Sequence, residues 1–267
     1  MKKDRNYRLH SFPSSRQFTM DIGKIGRNKH HIKALIEIDV TESRKKIKNK
    51  RYKSGEYISF TSWVLKCIGK AIFEHKKVHA LRKGKNKLVI FNDIDISIMV
   101  EKKLNEKVVP LPMVIRNINE KSLSEIFTEI EKAKKQKIKE GKDYVINKNR
   151  DKKPIKLFSL LPQPIRLIIW KLILSNPFRV KEMMGTALVT SVGMMGRING
   201  WFVPYSIHPI SFALGAVIKK PGVVKKNVEI RDFLEMTILI DHDVVDGAPA
   251  ARFVSKLKDL MKNGYAL

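Results

Sequence analysis

The sequence predicts a single α+β domain built on a mixed sheet, and three observations predict it. Segments with two-residue apolar alternation are interspersed with segments of helical periodicity along the chain. No internal repeat or low-complexity linker divides them. The 267 residues, 43% hydrophobic and 30% charged, are enough to bury one sizeable core and exclude wholesale disorder.

The elements follow in order. The first seventeen residues are polar and irregular, an N-terminal arm, and residues 18–267 form the domain. Ala34, Ile36, Ile38 and Val40 alternate with Glu37 and Asp39, the pattern of a strand. Thr41 caps a short basic helix. Ser59-Phe60-Thr61 opens a second helix whose Trp63, Val64, Cys67, Ile68, Ala71 and Ile72 fall on one broad face. Strands are predicted at Lys87–Phe91, Ile94–Val100 and Val108–Ile115. Ser122-Leu123-Ser124-Glu125 reads as a capping box for a helix that buries Ile126, Ile130 and Ala133. Further strands are predicted at Gly185–Ser191, Ser211–Lys219 and Phe233–Asp241. A closing helix runs from Ala248 to about Lys262, with Phe253, Leu257, Leu260 and Met261 as its stripe. One segment stands apart at about 150–184. Lys152-Lys153-Pro154 and Leu161-Pro162-Gln163-Pro164 lead into a short apolar helix around Trp170, with Pro164 in its first turn. It is open to three readings: a helix packed on the body or a neighbouring subunit, a lid, or a membrane-surface helix.

Composition sets limits on function. No stretch approaches the ~20 uninterrupted apolar residues of a transmembrane segment, and the polar start carries no secretory signal. Cys67 is alone, so no internal disulfide and no cysteine-based zinc site is expected; no metal is implied. These features predict a cytoplasmic protein. The balance of 54 Lys+Arg against 26 Asp+Glu, +28 in all, would serve a nucleic acid, an anionic surface or a phosphorylated ligand. It is equally the mark of lysines spread over solvated faces. Clusters such as Lys45-Lys46-Ile47-Lys48-Asn49-Lys50-Arg51 lack interleaved aromatics, so no specific nucleic-acid partner is predicted.

The chemistry centres on Asp241-His242-Asp243-Val244-Val245-Asp246-Gly247. A strand, Leu234 to Ile240, delivers His242 to a strand end, where it can meet a substrate while its backbone is held by the sheet. Imidazole takes and returns protons at cellular pH. Asp246 is expected to hold the turn by a buried ion pair or backbone bonds, and Gly247 to permit a tight bend. His30-His31 reads as a surface or structural pair, and His208, before Pro209, as a loop residue near a subunit contact. Tyr265-Ala266-Leu267 reads as a frayed end or an anchor onto another oligomer.

With Ala248-Pro249-Ala250-Ala251-Arg252-Phe253, this segment resembles the Asp-His-Arg-x-x-Asp-Gly-Ala hallmark of the catalytic domain of the 2-oxo acid dehydrogenase dihydrolipoamide acyltransferases. Three further blocks appear in family order. Ile58 to Lys66 is similar to the family's first core helix. Asp95 to Val100, Val109 to Asn117 and Lys121 to Ile126 are similar to its central strands and helix. Thr190-Ser191-Val192-Gly193-Met194-Met195-Gly196 resembles its Ser/Thr-Asn-x-Gly segment.

The resemblance implies a chloramphenicol acetyltransferase-like two-layer sandwich and a CoA-dependent acyltransferase, with coenzyme A as substrate and no lipoyl group covalently bound in this chain. It implies His242 as general base and Asp246 as a site residue. The oxyanion-stabilising hydroxyl is Thr190 or Ser191, which remain alternatives, supplied across the interface of a homotrimer. The acceptor would be a small thiol, hydroxyl or amine compound, or a dihydrolipoyl domain in trans. A stand-alone enzyme is expected, since little sequence precedes the catalytic domain. Asp243 stands where the family has Arg, placing a negative charge beside the base or pairing with a nearby lysine; Ser191 replaces the family Asn. The alternative reading is a non-catalytic trimeric scaffold or CoA-binding relative of the same fold.

Overall fold

The computed structural model describes residues 7–9, 12, 15–54, 58–104, 107–136, 158, 160–193 and 198–267. Most of the expected arm, Lys152-Lys153-Pro154 and Met194-Met195-Gly196 lie outside the described residues. Six strands, β1 (His31–Asp39), β4 (Ile96–Leu104), β5 (Lys107–Ile115), β6 (Ala187–Ser191), β7 (Ile210–Val224) and β8 (Asn227–Asp241), form one sheet; β2 (Leu81–Lys83) and β3 (Lys87–Val89) form a separate hairpin. The large sheet runs β1-β8-β7-β6-β4-β5. It is mixed, as predicted: β6 is parallel to both its neighbours and every other pair is antiparallel.

The helices are α1 (Ser15–Arg27), α2 (Thr41–Ser54), α3 (Phe60–Glu74), α4 (Leu123–Lys135), α5 (Gln163–Leu174), α6 (Pro177–Met184) and α7 (Gly247–Lys262). Helices α3, α4 and α7 cover one face of the sheet. There Trp63, Ile68, Ile126, Phe253 and Leu257 share a cluster with Ile98, Met113, Phe212 and Ile238 from the strands. All six predicted core positions of α3 are fully buried, each large one contributing ~1.5–3 kcal/mol. Ser59 and Ser62 cap the start of α3 reciprocally, and Ser122 and Glu125 do so for α4. Burial pushes the Cys67 thiol well above its ordinary range.

Several elements differ from expectation for local reasons. Helix α1 begins at Ser15, inside the stretch read as arm. Asp39, rather than Thr41, receives the first bonds at the start of α2, from Thr41 N and Oγ1 at 3.0 and 2.6 Å. The β7–β8 hairpin runs beyond the predicted strands to Val224 and Asn227; Val223, Val228 and Ile230 are exposed there, so apolar alternation does not mark its tip. The C-terminus is not frayed. Tyr265 O accepts a bond from Trp63 Nε1 at 3.0 Å, and Tyr265 and Leu267 pack on the core.

The proline-bounded helix α5 buries only Arg166 and Trp170. Arg166 binds both carboxylate oxygens of Asp21 in α1, at 2.7 and 2.9 Å. Phe158 stacks on Phe18 and meets Trp170 edge-on. Of the three readings of this segment, these contacts fit a helix packed on the body. Ile165, Ile168 and Leu172 remain exposed.

Candidate active site

His242 is the first residue beyond the sheet. Its N–H donates to His30 O at 2.7 Å, while Asp241 N donates to Pro209 O at 2.8 Å. These bonds pin the end of β8 on both sides. Asp241 then organises the turn: its carbonyl accepts from Val244 N and Val245 N, each at 3.1 Å. Its carboxylate accepts from Asp243 N at 3.1 Å and from Lys29 Nζ at 2.5 Å. Val244 and Val245 are buried, so they plug the turn into the core, and the His242 side chain is left exposed.

Asp246 takes a different part from the one expected. It occupies the N-cap position of α7 with extended backbone, but its carboxylate makes no capping bond and is exposed. The buried carboxylate of the turn is Asp241, which already has the lysine. Gly247 lies in the first turn of α7 with open space where a Cβ would stand, so the bend does not require glycine.

Among the described residues Asp243 pairs with no lysine, and no bond joins it to His242. Its carboxylate meets His30 Nδ1 at 3.1 Å and Arg82 Nη1 at 3.5 Å. The His30 bond, followed by the charges of His30, Arg82 and Lys29, holds it below the usual carboxylate range. Arg82 belongs to β2, so the β2–β3 hairpin is tied to the turn that carries His242. His31 Nε2 reaches His208 O at 3.0 Å. His208 lies in a loop, as expected, and is buried there; its Nε2 meets Met184 O at 3.1 Å, and burial pushes its pKa down to about 4.

Thr190 and Ser191 end β6. Asp95 positions the start of that strand: its carbonyl accepts from Thr186 N at 2.9 Å, and its buried carboxylate binds Arg116 and Lys181 at 2.7 and 2.9 Å. Beyond Ser191, a Cβ on Gly193 would sit 1.9 Å from the Gly215 backbone, so only glycine lets β6 leave the sheet so close to β7. The register separates the two hydroxyls. Thr190 lies beside Ala213 and Thr237, Ser191 beside Leu214 and Met236. Leu214 and Met236 belong to the core cluster under the helices, so Ser191 shares the helix side and Thr190 the opposite face. Neither side chain makes a hydrogen bond among the described residues.

One chain does not bring its hydroxyl to its histidine. Thr190 is level with Thr237, five residues before His242 on β8 and two strands away. That is roughly 16 Å along the strand and about 10 Å across it.

Lys29, His30, Arg82 and Asp241 were not singled out in the sequence as site residues. The signal available was Asp241 itself, adjacent to His242; the others reach the turn from distant segments. Among the described residues no group of three or more His, Cys, Asp or Glu is placed to hold a metal ion, and no helix is long and apolar enough to cross a membrane.

The family described as 2-oxoacid dehydrogenases acyltransferase (catalytic domain) matches residues 27–143 and 171–267. The lipoamide acyltransferase component of the branched-chain alpha-keto acid dehydrogenase complex of Bacillus subtilis is 23% identical over 239 residues, 87% of this chain and 47% of that protein. The dihydrolipoyllysine-residue acetyltransferase component of the pyruvate dehydrogenase complex of Corynebacterium glutamicum is 32% identical over 84 residues, 29% of this chain and 12% of that protein. The chain thus spans about half the length of the first and less of the second. Among solved structures, a probable dihydrolipoamide acetyltransferase from Listeria monocytogenes superposes with TM-score 0.67 at 16% identity, over 97% of this chain and 95% of that one. The Azotobacter vinelandii dihydrolipoamide acetyltransferase, in which the roles of a serine, a histidine and an asparagine in the catalytic mechanism were investigated, gives 0.66 at 17% identity, over 98% and 95%. Residues 1–26 and 144–170 fall outside the family match, yet Asp21 and Arg166 join these two segments.

Proposed function

Because the chain belongs to the 2-oxoacid dehydrogenase acyltransferase family through its catalytic domain, we propose that it moves an acetyl or other short acyl group between CoA and a thiol, hydroxyl or amine acceptor. His242 acts as the general base. Its neutral imidazole takes the proton of the acceptor thiol as the sulfur attacks the acyl carbonyl of the thioester. The resulting oxyanion accepts a hydrogen bond from a hydroxyl at the end of β6. Collapse breaks the bond to the CoA sulfur, and the departing thiolate recovers the proton from His242. No covalent enzyme intermediate is needed; rate comes from holding two substrates at attack distance, base catalysis and oxyanion stabilisation.

The observation that carries this reading is an exposed histidine on a turn whose flanking backbone is pinned on both sides, by His30 and by Pro209. Of the two hydroxyls, Thr190 is the better donor, since Ser191 is on the face the helices cover. The separation between Thr190 and His242 in one chain favours a homotrimer with each site shared between neighbours. The acceptor class includes a dihydrolipoyl group carried by another domain, in keeping with the lipoamide named for the Bacillus relative.

The test is acetyl transfer from acetyl-CoA to dihydrolipoamide. His242→Ala should lower the rate by ~10²–10⁴-fold with the far-ultraviolet circular dichroism unchanged. Full activity in that variant would overturn the mechanism. CoA binding without turnover over a panel of thiols, alcohols and amines would instead support the non-catalytic reading, which Asp243 in place of the family Arg favours.

A further inference from the structure

We infer that Met99 walls the acyl pocket beside Thr190 and limits transfer to short apolar acyl groups. The inference rests on the acyltransferase reading and deepens it by naming the residue that selects the acyl chain. Ile98 pairs with Val189 in the parallel β4–β6 ladder. The next residues along, Met99 and Thr190, therefore stand side by side, about 5 Å apart from strand to strand. Ile98 and Val100 belong to the core under the helices, which turns Met99 to the opposite face, the one that carries Thr190. The same row continues through Ala213 on β7 to Thr237 on β8 and Leu35 on β1.

The two flanks of Thr190 differ. On the β7 side the segment before β7 is tied down over this face. Gly200 N donates to the Glu235 carboxylate at 2.7 Å and Trp201 Nε1 to Ile36 O at 3.1 Å, while Ser206 Oγ lies 2.6 Å from Ser211 Oγ. Ala213 and Thr237 are buried there. On the β4 side Met99 is 44% exposed, and Thr190 itself is half-buried. An acyl carbon held at the Thr190 hydroxyl therefore has its open space over β4.

The lining of that space decides what can fill it. On β4, Ser97 is buried on one side of Met99, and Glu101 sets an exposed carboxylate on the other. Across the ladder Met99 pairs with Pro112, which has no N–H to offer. The amides of the CoA arm would find no hydrogen-bond partner on Met99 and Pro112 and are better left in water. A short alkyl chain loses nothing there and gains apolar contact. The flexible thioether can fold against such a chain, whereas a longer chain runs on to the Glu101 carboxylate, about 7 Å further along the strand.

The experiment compares acetyl-CoA with hexanoyl-CoA as donors to dihydrolipoamide. Met99→Ala should raise kcat/KM for hexanoyl-CoA relative to acetyl-CoA by about tenfold or more, and Met99→Phe should lower the ratio. Leu35→Ala, at the far end of the same row and 51% exposed, should leave the ratio unchanged. Calorimetric titration of the His242→Ala variant with the two thioesters reads the wall without turnover, and adding Met99→Ala should shift their relative affinity in the same direction. That shift in a protein whose native form transfers no acyl group would overturn the mechanism and support the wall, so the two failures are distinct. An unchanged preference in both measurements overturns the inference. So does an equal change for both thioesters, which would place the CoA arm over Met99.

Discussion

The turn at His242 and the strand end at Thr190 are built in opposite ways. The turn is cross-linked from several directions: His30 and Pro209 hold its backbone, Lys29 its buried carboxylate, and His30 with Arg82 its exposed one. The strand end is held by its ladder and by the close approach of Gly193 to Gly215, and its hydroxyls have no bond among the described residues. A base must keep its orientation while a proton comes and goes, whereas a hydroxyl donor must be free to turn to an oxyanion that exists only briefly. On the proposed mechanism, the contrast fits two half-sites that a neighbouring subunit would complete.

The strongest way to break this comparison is to split the halves between chains. His242→Ala and Thr190→Ala should each be close to inactive alone. Unfolding and refolding them together at equal amounts should restore activity at about a quarter of the sites, by random assortment of subunits in a ring. No recovery, with both variants assembling normally, would place base and donor elsewhere. A narrower test separates the hydroxyls: Thr190→Ala should lower kcat ~10²-fold or more, while Ser191→Ala should leave it within about threefold. Equal losses would contradict the two-face assignment.

Two buried histidines, His208 beside Pro209 and His79, whose Nδ1 meets Thr186 Oγ1 at 2.8 Å, can be probed by acid. Burial pushes His208 and His79 down to about 4 from an ordinary 6.5. Between those values the unfolded chain binds protons that the folded rings refuse, so stability should fall as pH falls from about 6.5 towards 4. The full effect is on the order of 3 kcal/mol per ring. Urea melts at pH 7 and pH 5 would measure it, and His208→Gln should flatten the dependence. The smallest effect is expected at Asp243→Asn, whose partners are largely solvated: about 0.5 kcal/mol or less in the same melts.

Much of this was legible in the sequence because it is local. The buried face of α3 repeats at helical spacing, Ser122 and Glu125 are three residues apart, and β8 points directly at His242. What was hidden depends on distance along the chain. Lys29 and Asp241 are 212 residues apart, and nothing near Asp243 announces that its partners are His30 and Arg82. Expectation went to Asp246 because it lies within the motif, whereas the buried carboxylate is the one the sheet carries inward. The short β2 was missed since Leu81-Arg82-Lys83 has too few apolar residues to alternate. Helix α6 did leave a signal, Asn176 before Pro177, a capping residue followed by a proline suited to the first helical position. It was obscured by the apolar run just before it.

The ion pair between Arg166 and Asp21 bears on where this polypeptide can be cut. An investigator trimming the chain to begin at residue 27, where the family match starts, would discard Asp21 and keep Arg166. A guanidinium 3% exposed would then be left without its carboxylate, at a cost of ~3–5 kcal/mol, and Phe158 would lose Phe18. The boundary of family likeness and the boundary of stable folding therefore do not coincide.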